Sequence, residues 1–489
     1  VSVAAPTRPP HVAAGTGAPI RRPDVSSPEV MTRRAWWLVI LNVLVPGSAQ
    51  VLAGSRRLGR FGLGATLLLW TLLIVHAVWA LTSWTSLLGF YAGAWVPDAV
   101  GLLRAVPLLV LQALLFGYAL LWAVLTIDTL RLTRLVHVRA AARLPVALLA
   151  VVLLVVTSGV AVWAGQRVGS LRDTLATLFA TSAPSVPPSD GHYNILLLGA
   201  DSGDGRDSMR FDSISVVSVN AETGALTIVG IPRDLYGPPF SEGPMNDLYP
   251  DGFEGYESET CGWTAGINQL MNAVEVCRED GGTGLFPDAA ARGSSPAIEA
   301  TKQAAEGVLG IEIPYYVFID MHGFADLIDA LGGVEITVQE RLPKGGGPAY
   351  DGQSADEWAI GWIEEGTQHM DGDTAQWYAR SRYTTSDWDR MRRQRELQQA
   401  ILAQMNPMNV MLRFQEVMSA GRDLVSTDLP ASMLPYFAEL ALDAKGQPVT
   451  TLELTPEGIG IDPDDPDPGD WDVVRETLHD ILHPPAPEE

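Results

Sequence analysis

Hydrophobic and polar positions divide this chain into two unlike parts. Four apolar stretches come first: 35–53, 61–81, 105–125 and 144–164. A membrane span needs about 20 predominantly apolar residues, and the last three stretches meet that length. The first is interrupted by Asn42 and by Pro46-Gly47-Ser48, so it is expected to be a re-entrant or interfacial hairpin. Broken backbone at membrane depth survives only where protein or water satisfies it. Beyond 165 the pattern shortens. Asn194–Leu198, Ile214–Val219, Leu226–Ile231, Tyr315–Ile319 and Val334–Val338 are apolar or alternating runs bounded by turn residues, and predict strands. The Asn220–Gly224 gap suits a hairpin. Helical periodicity covers Ser295–Leu309, stopped by Gly310, and Met321–Leu331, stopped by Gly332-Gly333. It returns in Asp373–Arg380, Asp387–Met405 and Asp472–Leu482. Strands mixed with helices predict a layered α/β domain, with strand order left open.

These runs divide the 489 residues as follows. Residues 1–34 form a Pro/Ala/Gly-rich disordered tail, and 35–165 a membrane region with about three spans. Residues 166–191 form a linker, of which 167–179 can continue the last span outward. The α/β domain covers 192–455, and an acidic tail with a short amphipathic helix covers 456–489. The first apolar run begins too late for a cleavable signal peptide.

Charge sharpens the division. Residues 1–165 hold 13 Lys+Arg and 4 Asp+Glu, a balance of +9, while the remainder carries −33, giving the net −24. An acidic domain of this kind is a poor partner for nucleic acid, whose phosphates need a basic face. Arginines also orient the spans. Arg21, Arg22, Arg33, Arg34, then Arg56, Arg57, Arg60, then Arg131, Arg134, Arg139 and Arg143 mark three cytoplasmic segments, and the 82–104 loop is nearly uncharged. All agree if 35–53 does not cross and the other three stretches do, which puts the acidic domain outside. Cys261 and Cys277 fit no four-ligand zinc spacing. In an oxidising compartment they are expected to form a disulfide, the other reading being two unrelated thiols.

Candidate chemistry concentrates in five short stretches: Gly199-Ala-Asp201-Ser202, Arg210-Phe-Asp212-Ser213, Ile231-Pro-Arg233-Asp234, Arg380-Ser-Arg382, and Ser386–Gln394. Asp201 and Asp212 flank a turn-rich loop between two strands, so their carboxylates can meet at one sheet edge. Paired carboxylates suit Mg²⁺ (or Mn²⁺), which keeps several waters and takes substrate phosphate oxygens as further ligands. Singly, each aspartate reads equally as a turn cap. Nine of the acidic part's 20 basic residues lie within 206–233 or 380–395. Guanidinium forks suit non-bridging phosphate oxygens. Asp387, Arg390 and Arg393 share an arc of about 120° on a helix, whereas Arg392 points elsewhere. The alternative is a solvated helix face neutralised by Asp387 and Asp389. No P-loop and no Gly-x-Ser-x-Gly elbow is present. His192, His322, His369, His479 and His483 are scattered along the chain and read as structural.

The ordered set Asn194-Ile-Leu-Leu-Leu-Gly-Ala-Asp201, Arg210-Phe-Asp212-Ser213, Ile231-Pro-Arg233-Asp234, Ala330-Leu-Gly-Gly-Val334, Met370-Asp-Gly372 and Tyr378-Ala-Arg-Ser-Arg382, followed by Asp387, Arg390, Arg393 and Gln394, resembles the LytR–CpsA–Psr family of cell-wall glycopolymer ligases. The resemblance spans roughly 192–402. It implies an extracellular α/β/α domain on an anchor in the plasma membrane of a bacterium. It implies transfer of a glycopolymer from a polyprenyl pyrophosphate carrier to an acceptor, usually peptidoglycan, with formation of a phosphodiester. By the same resemblance Asp201 and Asp212 are the Mg²⁺ ligands. Arg206, Arg210, Arg233, Asp234, Arg382, Arg390, Arg393 and Gln394 are the pyrophosphate-binding set, and Arg233, Arg382, Asp387 and Arg390 the catalytic one. Asp234 or Asp387 is the candidate base, with Asp387 favoured instead as the residue that orients Arg382 or Arg390. The lipid chain calls for an apolar cavity between sheet and helices. Gly203 stands where relatives often have arginine, and three spans exceed the single anchor usual in the family. Two rival readings are hydrolysis of the same pyrophosphate and non-enzymatic binding of a polyprenyl lipid by a sensor. A transporter is disfavoured because the three long apolar stretches hold no Asp, Glu, Lys or Arg.

Overall fold

The computed structural model describes residues 20–21, 23–96, 103–178, 185–200, 210–350, 352–381, 385–404, 425–444 and 447–484. Asp201, Arg206 and Arg382 lie outside them, as does the side chain of Asp387.

The N-terminal unit is helical. Its elements are α1 (Pro28–Leu44), α2 (Ser48–Ala53), α3 (Arg56–Thr82), α4 (Trp84–Ala92), α5 (Val106–Thr133) and α6 (Ala140–Leu178). Among the described residues three helical segments are long and apolar enough to cross a membrane: Arg56–Thr82, Leu103–His137 and Ala140–Asp173. The first apolar stretch is instead the helical pair α1–α2, broken at Pro46-Gly47 as expected. Gly47 has φ +95°, and a Cβ there would collide with the Leu63 backbone nitrogen, so the break depends on glycine. Its polar groups are satisfied by protein. Asn42 Nδ2 donates to Thr126 Oγ1 (3.1 Å), Gln50 Nε2 to Leu125 O (2.7 Å) and Thr129 Oγ1 (2.8 Å), and Thr66 Oγ1 to Pro46 O (3.1 Å). A hydrogen-bonded hairpin of this kind is the form in which irregular backbone persists in an apolar surround.

The second unit is built on a six-stranded mixed sheet. In chain order its elements are β1 (His192–Ala200), β2 (Phe211–Asn220), β3 (Leu226–Ile231), α7 (Pro244–Leu248), β4 (Tyr256–Glu257), β5 (Gly262–Trp263), α8 (Pro296–Leu309), β6 (Tyr315–Asp320) and α9 (Met321–Leu331). Then follow β7 (Val334–Val338), β8 (Leu342–Lys344), α10 (Ala355–Trp358), β9 (Gly361–Ile363), β10 (Gly366–Met370), α11 (Gly372–Arg380) and α12 (Asp387–Gln404). The last elements are β11 (Val425–Thr427), α13 (Leu434–Asp443), β12 (Thr450–Glu453) and α14 (Asp470–Leu482). Strand order is β11-β6-β1-β2-β3-β12. β1–β2–β3 is an antiparallel meander, β6 runs parallel to β1, and β12 parallel to β3.

Alternation along the central strands explains the layers. Leu196 and Leu198 of β1, Ile214 and Val216 of β2, and Val229 and Ile231 of β3 enter a core with Ile298, Ala304 and Val308 of α8. Tyr193, Val217, Val219 and Ile228 enter a core on the other face with Tyr315, Met433 and Leu440. A third core joins Ile328 of α9, the β7–β10 ribbon, Tyr378 of α11 and Leu397 of α12. Helix α8 starts where its sequence says it should: the Ser295 side chain caps Ile298 N, Pro296 is the first residue, and Gly310 closes it at φ +69°. The α14 helix packs into the first core through fully buried Val474 and Leu478, so the compact domain extends beyond 455 and takes in the terminal amphipathic helix. Cys261, in the β4–β5 loop, is joined by a disulfide to Cys277.

Candidate functional site

The expected site lies at one end of the β1–β2–β3 meander. Gly199 pairs with Ser213 but Ala200 pairs with Phe211, so Asp212 is the extra residue of a β-bulge. Bulges bend a strand and re-aim a side chain, and are common beside functional sites. Phe211 keeps its place in the core while Asp212 stays partly exposed. β1 ends at Ala200, across from this bulge.

β3 ends at Ile231 because Pro232 offers no N–H to the ladder. A turn closed by Leu235 N donating to Pro232 O then presents Arg233 and Asp234. Arg233 Nη1 donates to Asp212 Oδ1 at 2.7 Å, and its Nε donates to Asp234 Oδ2 at 3.1 Å. Both arginine and Asp212 are about a fifth exposed, so their charges are partly screened but reach solvent. Asp234 Oδ1 accepts from Asn268 Nδ2 (2.8 Å), and Asn268 N donates to Arg233 O (3.0 Å). Gln269 Nε2 donates to Asn268 Oδ1 and Asn272 Nδ2 to Gln269 Oε1, extending the network inward. The structure therefore brings Asp212, Arg233 and Asp234 together. Arg210 is exposed just before β2.

The later arginines form a second group on α12. Arg390, Arg393 and Gln394 are buried. Arg393 Nε donates to Tyr378 O (3.1 Å), and its Nη2 donates to Ser381 O and to Thr385 Oγ1 (3.1 Å). Burial pulls its pKa below the ordinary arginine value. Gln394 Nε2 donates to Ala379 O (3.3 Å). Arg393 thus holds Ser381 and Thr385, the residues on either side of 382–384. Arg392 is exposed and paired with Asp389 at 2.7 Å, the local pairing expected of a surface residue. The helix is tied to the sheet near the first group. Gln398 Nε2 donates to Ser215 Oγ (3.3 Å), three residues from Asp212. Arg395 Nε lies 3.4 Å from Glu453 Oε1, and Glu453 pairs with Gly230, three residues before Arg233.

Asn268, Gln269 and Asn272 escaped the sequence reading. Their only signal is three buried amides in five positions of an otherwise ordinary segment, which acquires meaning once Asn268 is seen on Asp234. Arg395 was counted in the cluster without a role, and the structure gives it a structural one.

This end of the domain offers a guanidinium held between two carboxylates, with hard oxygen donors beside it, on an α/β scaffold that follows apolar helices. Such an arrangement is suited to phosphate chemistry at a membrane. A family model, the LytR_cpsA_psr family, matches residues 172–465, and the chain belongs to that family. It is similar to the Biofilm regulatory protein A of Streptococcus mutans serotype c, 25% identical over 300 residues, covering 60% of this chain and 64% of that one. It is also similar to the polyisoprenyl-teichoic acid–peptidoglycan teichoic acid transferase TagU of Enterococcus faecalis, 28% identical over 241 residues, covering 48% of this chain and 61% of that one. These matches span less than two thirds of the curated relatives' own length. Among solved structures, the crystal structure of B. subtilis TagV matches with a TM-score of 0.41 at 21% identity, over 60% of this chain and 98% of that one.

Proposed function

We propose that this protein transfers a glycopolymer from a polyprenyl pyrophosphate carrier to a cell-wall acceptor, peptidoglycan in the first instance, from a domain outside the cytoplasm. The observation that carries the reading is Arg233, oriented by Asp212 and Asp234 at the open end of the sheet, in a member of this family. An acceptor hydroxyl oxygen attacks the sugar-bearing phosphorus. The bond from that phosphorus to the bridging oxygen breaks, polyprenyl phosphate leaves with the electron pair, and the hydroxyl proton passes to solvent water. Arg233 faces the charge that builds on the transferring phosphate, where fixed donors act most strongly. Arg210, Arg206, Arg382 and Arg390 complete the phosphate-binding set in this proposal. Asp234 spends both oxygens on Arg233 and Asn268, so we assign it to positioning rather than to proton transfer. Asp387 keeps its proposed role of orienting Arg382 or Arg390.

The bulged Asp212, with Asp201 next in sequence after Ala200 at the end of β1, supplies the hard carboxylate oxygens that Mg²⁺ prefers, and the two aspartates would hold that ion. Bound there, Mg²⁺ supplies charge neutralisation for the pyrophosphate. The positive segments flanking the spans favour the outward orientation of the domain.

The test uses the full chain in lipid nanodiscs, a labelled polyprenyl pyrophosphate glycan, and purified peptidoglycan. Label moving into insoluble peptidoglycan is the expected result. Free glycan phosphate released equally with and without peptidoglycan would establish the hydrolase reading instead. Binding without turnover, unaffected by Asp212→Ala, would establish the sensor reading.

A further inference from the structure

Three histidines that sequence reading scattered come together away from the arginine site. His479 of α14 and His483, which caps that helix, lie four residues apart, about one helical turn, and their ring centroids are 4.7 Å apart. Facing them is Asp190, in the turn that leads into β1. Ser189 and His192 bracket that turn with reciprocal backbone hydrogen bonds of 2.9 Å. Asp190 and Gly191 both have positive φ, +48° and +75°. This is the two-residue turn that Asp-Gly favours, and the Asp190 side chain is exposed on it. His483 Nε2 lies 2.8 Å from Asp190 Oδ2. One ligand atom each from Asp190, His479 and His483 fall within 4.8 Å of one another.

We propose that Asp190, His479 and His483 form a binding site for a zinc-class divalent transition metal. Two imidazoles and a carboxylate match the ligand preference of such ions and not that of Mg²⁺ or Ca²⁺, which favour all-oxygen sets. Metal–ligand bonds of about 2.0–2.2 Å in a tetrahedron separate the ligand atoms by about 3.3 Å. The ion therefore enters by opening the 2.8 Å His483–Asp190 contact by about half an ångström and drawing His479 in. The side chains are partly exposed, which leaves the fourth position to water.

The surroundings are arranged as supporting shells of metal sites are. His192 is buried, and its ring packs edge-on against His483 at 5.4 Å. Its Nδ1 is 2.9 Å from Asp190 O, and its Nε2 is 3.4 Å from Asn220 Nδ2. Donation from Nδ1 to the Asp190 carbonyl leaves Nε2 to accept from Asn220, so His192 clamps the turn rather than competing for the ion. Both cysteines are in the disulfide and offer no thiolate. The consequence is structural. The ion fastens the last helix of the domain to the turn where the chain enters the sheet.

The experiment uses untagged full-length protein, stripped with a chelator and titrated with Zn²⁺ against a chromophoric competitor. About one tight equivalent is expected, lost in His479→Ala and in His483→Ala and kept in Asp212→Ala. His192→Phe keeps the ring and loses the clamp, and should weaken binding about tenfold. Hydrogen exchange of the Asp470–Leu482 amides should slow on adding Zn²⁺ in the native protein and not in His479→Gln/His483→Gln, a pair chosen to keep the side-chain bulk. No tight equivalent, or one that survives the double substitution, overturns the proposal and leaves a plain His483–Asp190 ion pair.

Discussion

Glu453 offers a sharp test of how the arginine helix is held to the sheet. Its carboxylate is buried against Arg395 of α12, and Gly230 makes the room, since a Cβ there would strike the carboxylate. Burial pushes the Glu453 pKa from 4.5 up to about 7, with Arg395 offsetting only part of that cost. In the unfolded chain the carboxyl ionises near its ordinary value. Between these two values the folded state holds a proton that the unfolded state has lost. Stability from this group is therefore complete below about pH 4.5, falls as pH rises toward 7, and is constant above it. A displacement from 4.5 to about 7, at about 1.4 kcal/mol per pH unit, is worth about 3 kcal/mol.

Glu453→Gln isolates this contribution because the amide keeps the shape and cannot ionise. Thermal unfolding of both proteins, in the same detergent, is followed from about pH 4.5 to about pH 8, a range that covers both values. The native protein should lose ground to the variant by about 3 kcal/mol across this range, about 6–12 °C in Tm for a domain of this size. A gap that stays constant, or that moves in favour of the native protein as pH rises, would refute the reasoning. It would mean that Glu453 is ionised in the fold and that its attraction to Arg395 exceeds the desolvation cost.

Four further outcomes are expected. Arg233→Lys keeps the charge but cannot bridge Asp212 and Asp234 together, so glycan transfer should fall at least about tenfold with no change in Tm, as read in the nanodisc assay. Asp428→Ala leaves Lys302 buried with Glu299 as its remaining carboxylate and Tyr316 N without its acceptor, and should cost about 3 kcal/mol in thermal unfolding. Replacing Cys261 and Cys277 by serine releases a loop of 16 residues and should cost about 3 kcal/mol, measurable as a lower Tm that reductant no longer affects. Gly372→Ala drives a Cβ into the Ala325 carbonyl where α11 crosses α9, and circular dichroism melts should show about 1–3 kcal/mol of destabilisation.

What the sequence disclosed followed from how local each cause is. Strand and helix positions depend on short-range pattern and punctuation, so Leu226–Ile231, Met321–Leu331 and Val334–Val338 appear as expected, and Ser295 and Gly310 close α8 by rules that act within a few residues. The helix break at Pro46-Gly47 was equally legible, because proline and glycine interrupt a helix wherever they stand. Pairing was not legible. β12 joins β3 from more than 200 residues away, and nothing in Thr450–Glu453 names its partner. The bulge at Asp212 depends on a register offset between two strands, and hence on both strands at once. The same holds for side-chain roles. Arg233 and Arg393 look alike in sequence, yet one faces two carboxylates at the sheet's open end and the other spends its donors on backbone and hydroxyl oxygens around 381–385. Burial separates them: the Arg393 guanidinium is buried and committed to fixed acceptors inside the fold, whereas that of Arg233 is about a fifth exposed. The histidines show the reverse case. Nearly 300 positions separate Asp190 and His192 from His479 and His483, and only a two-residue turn closing on the end of a terminal helix joins them.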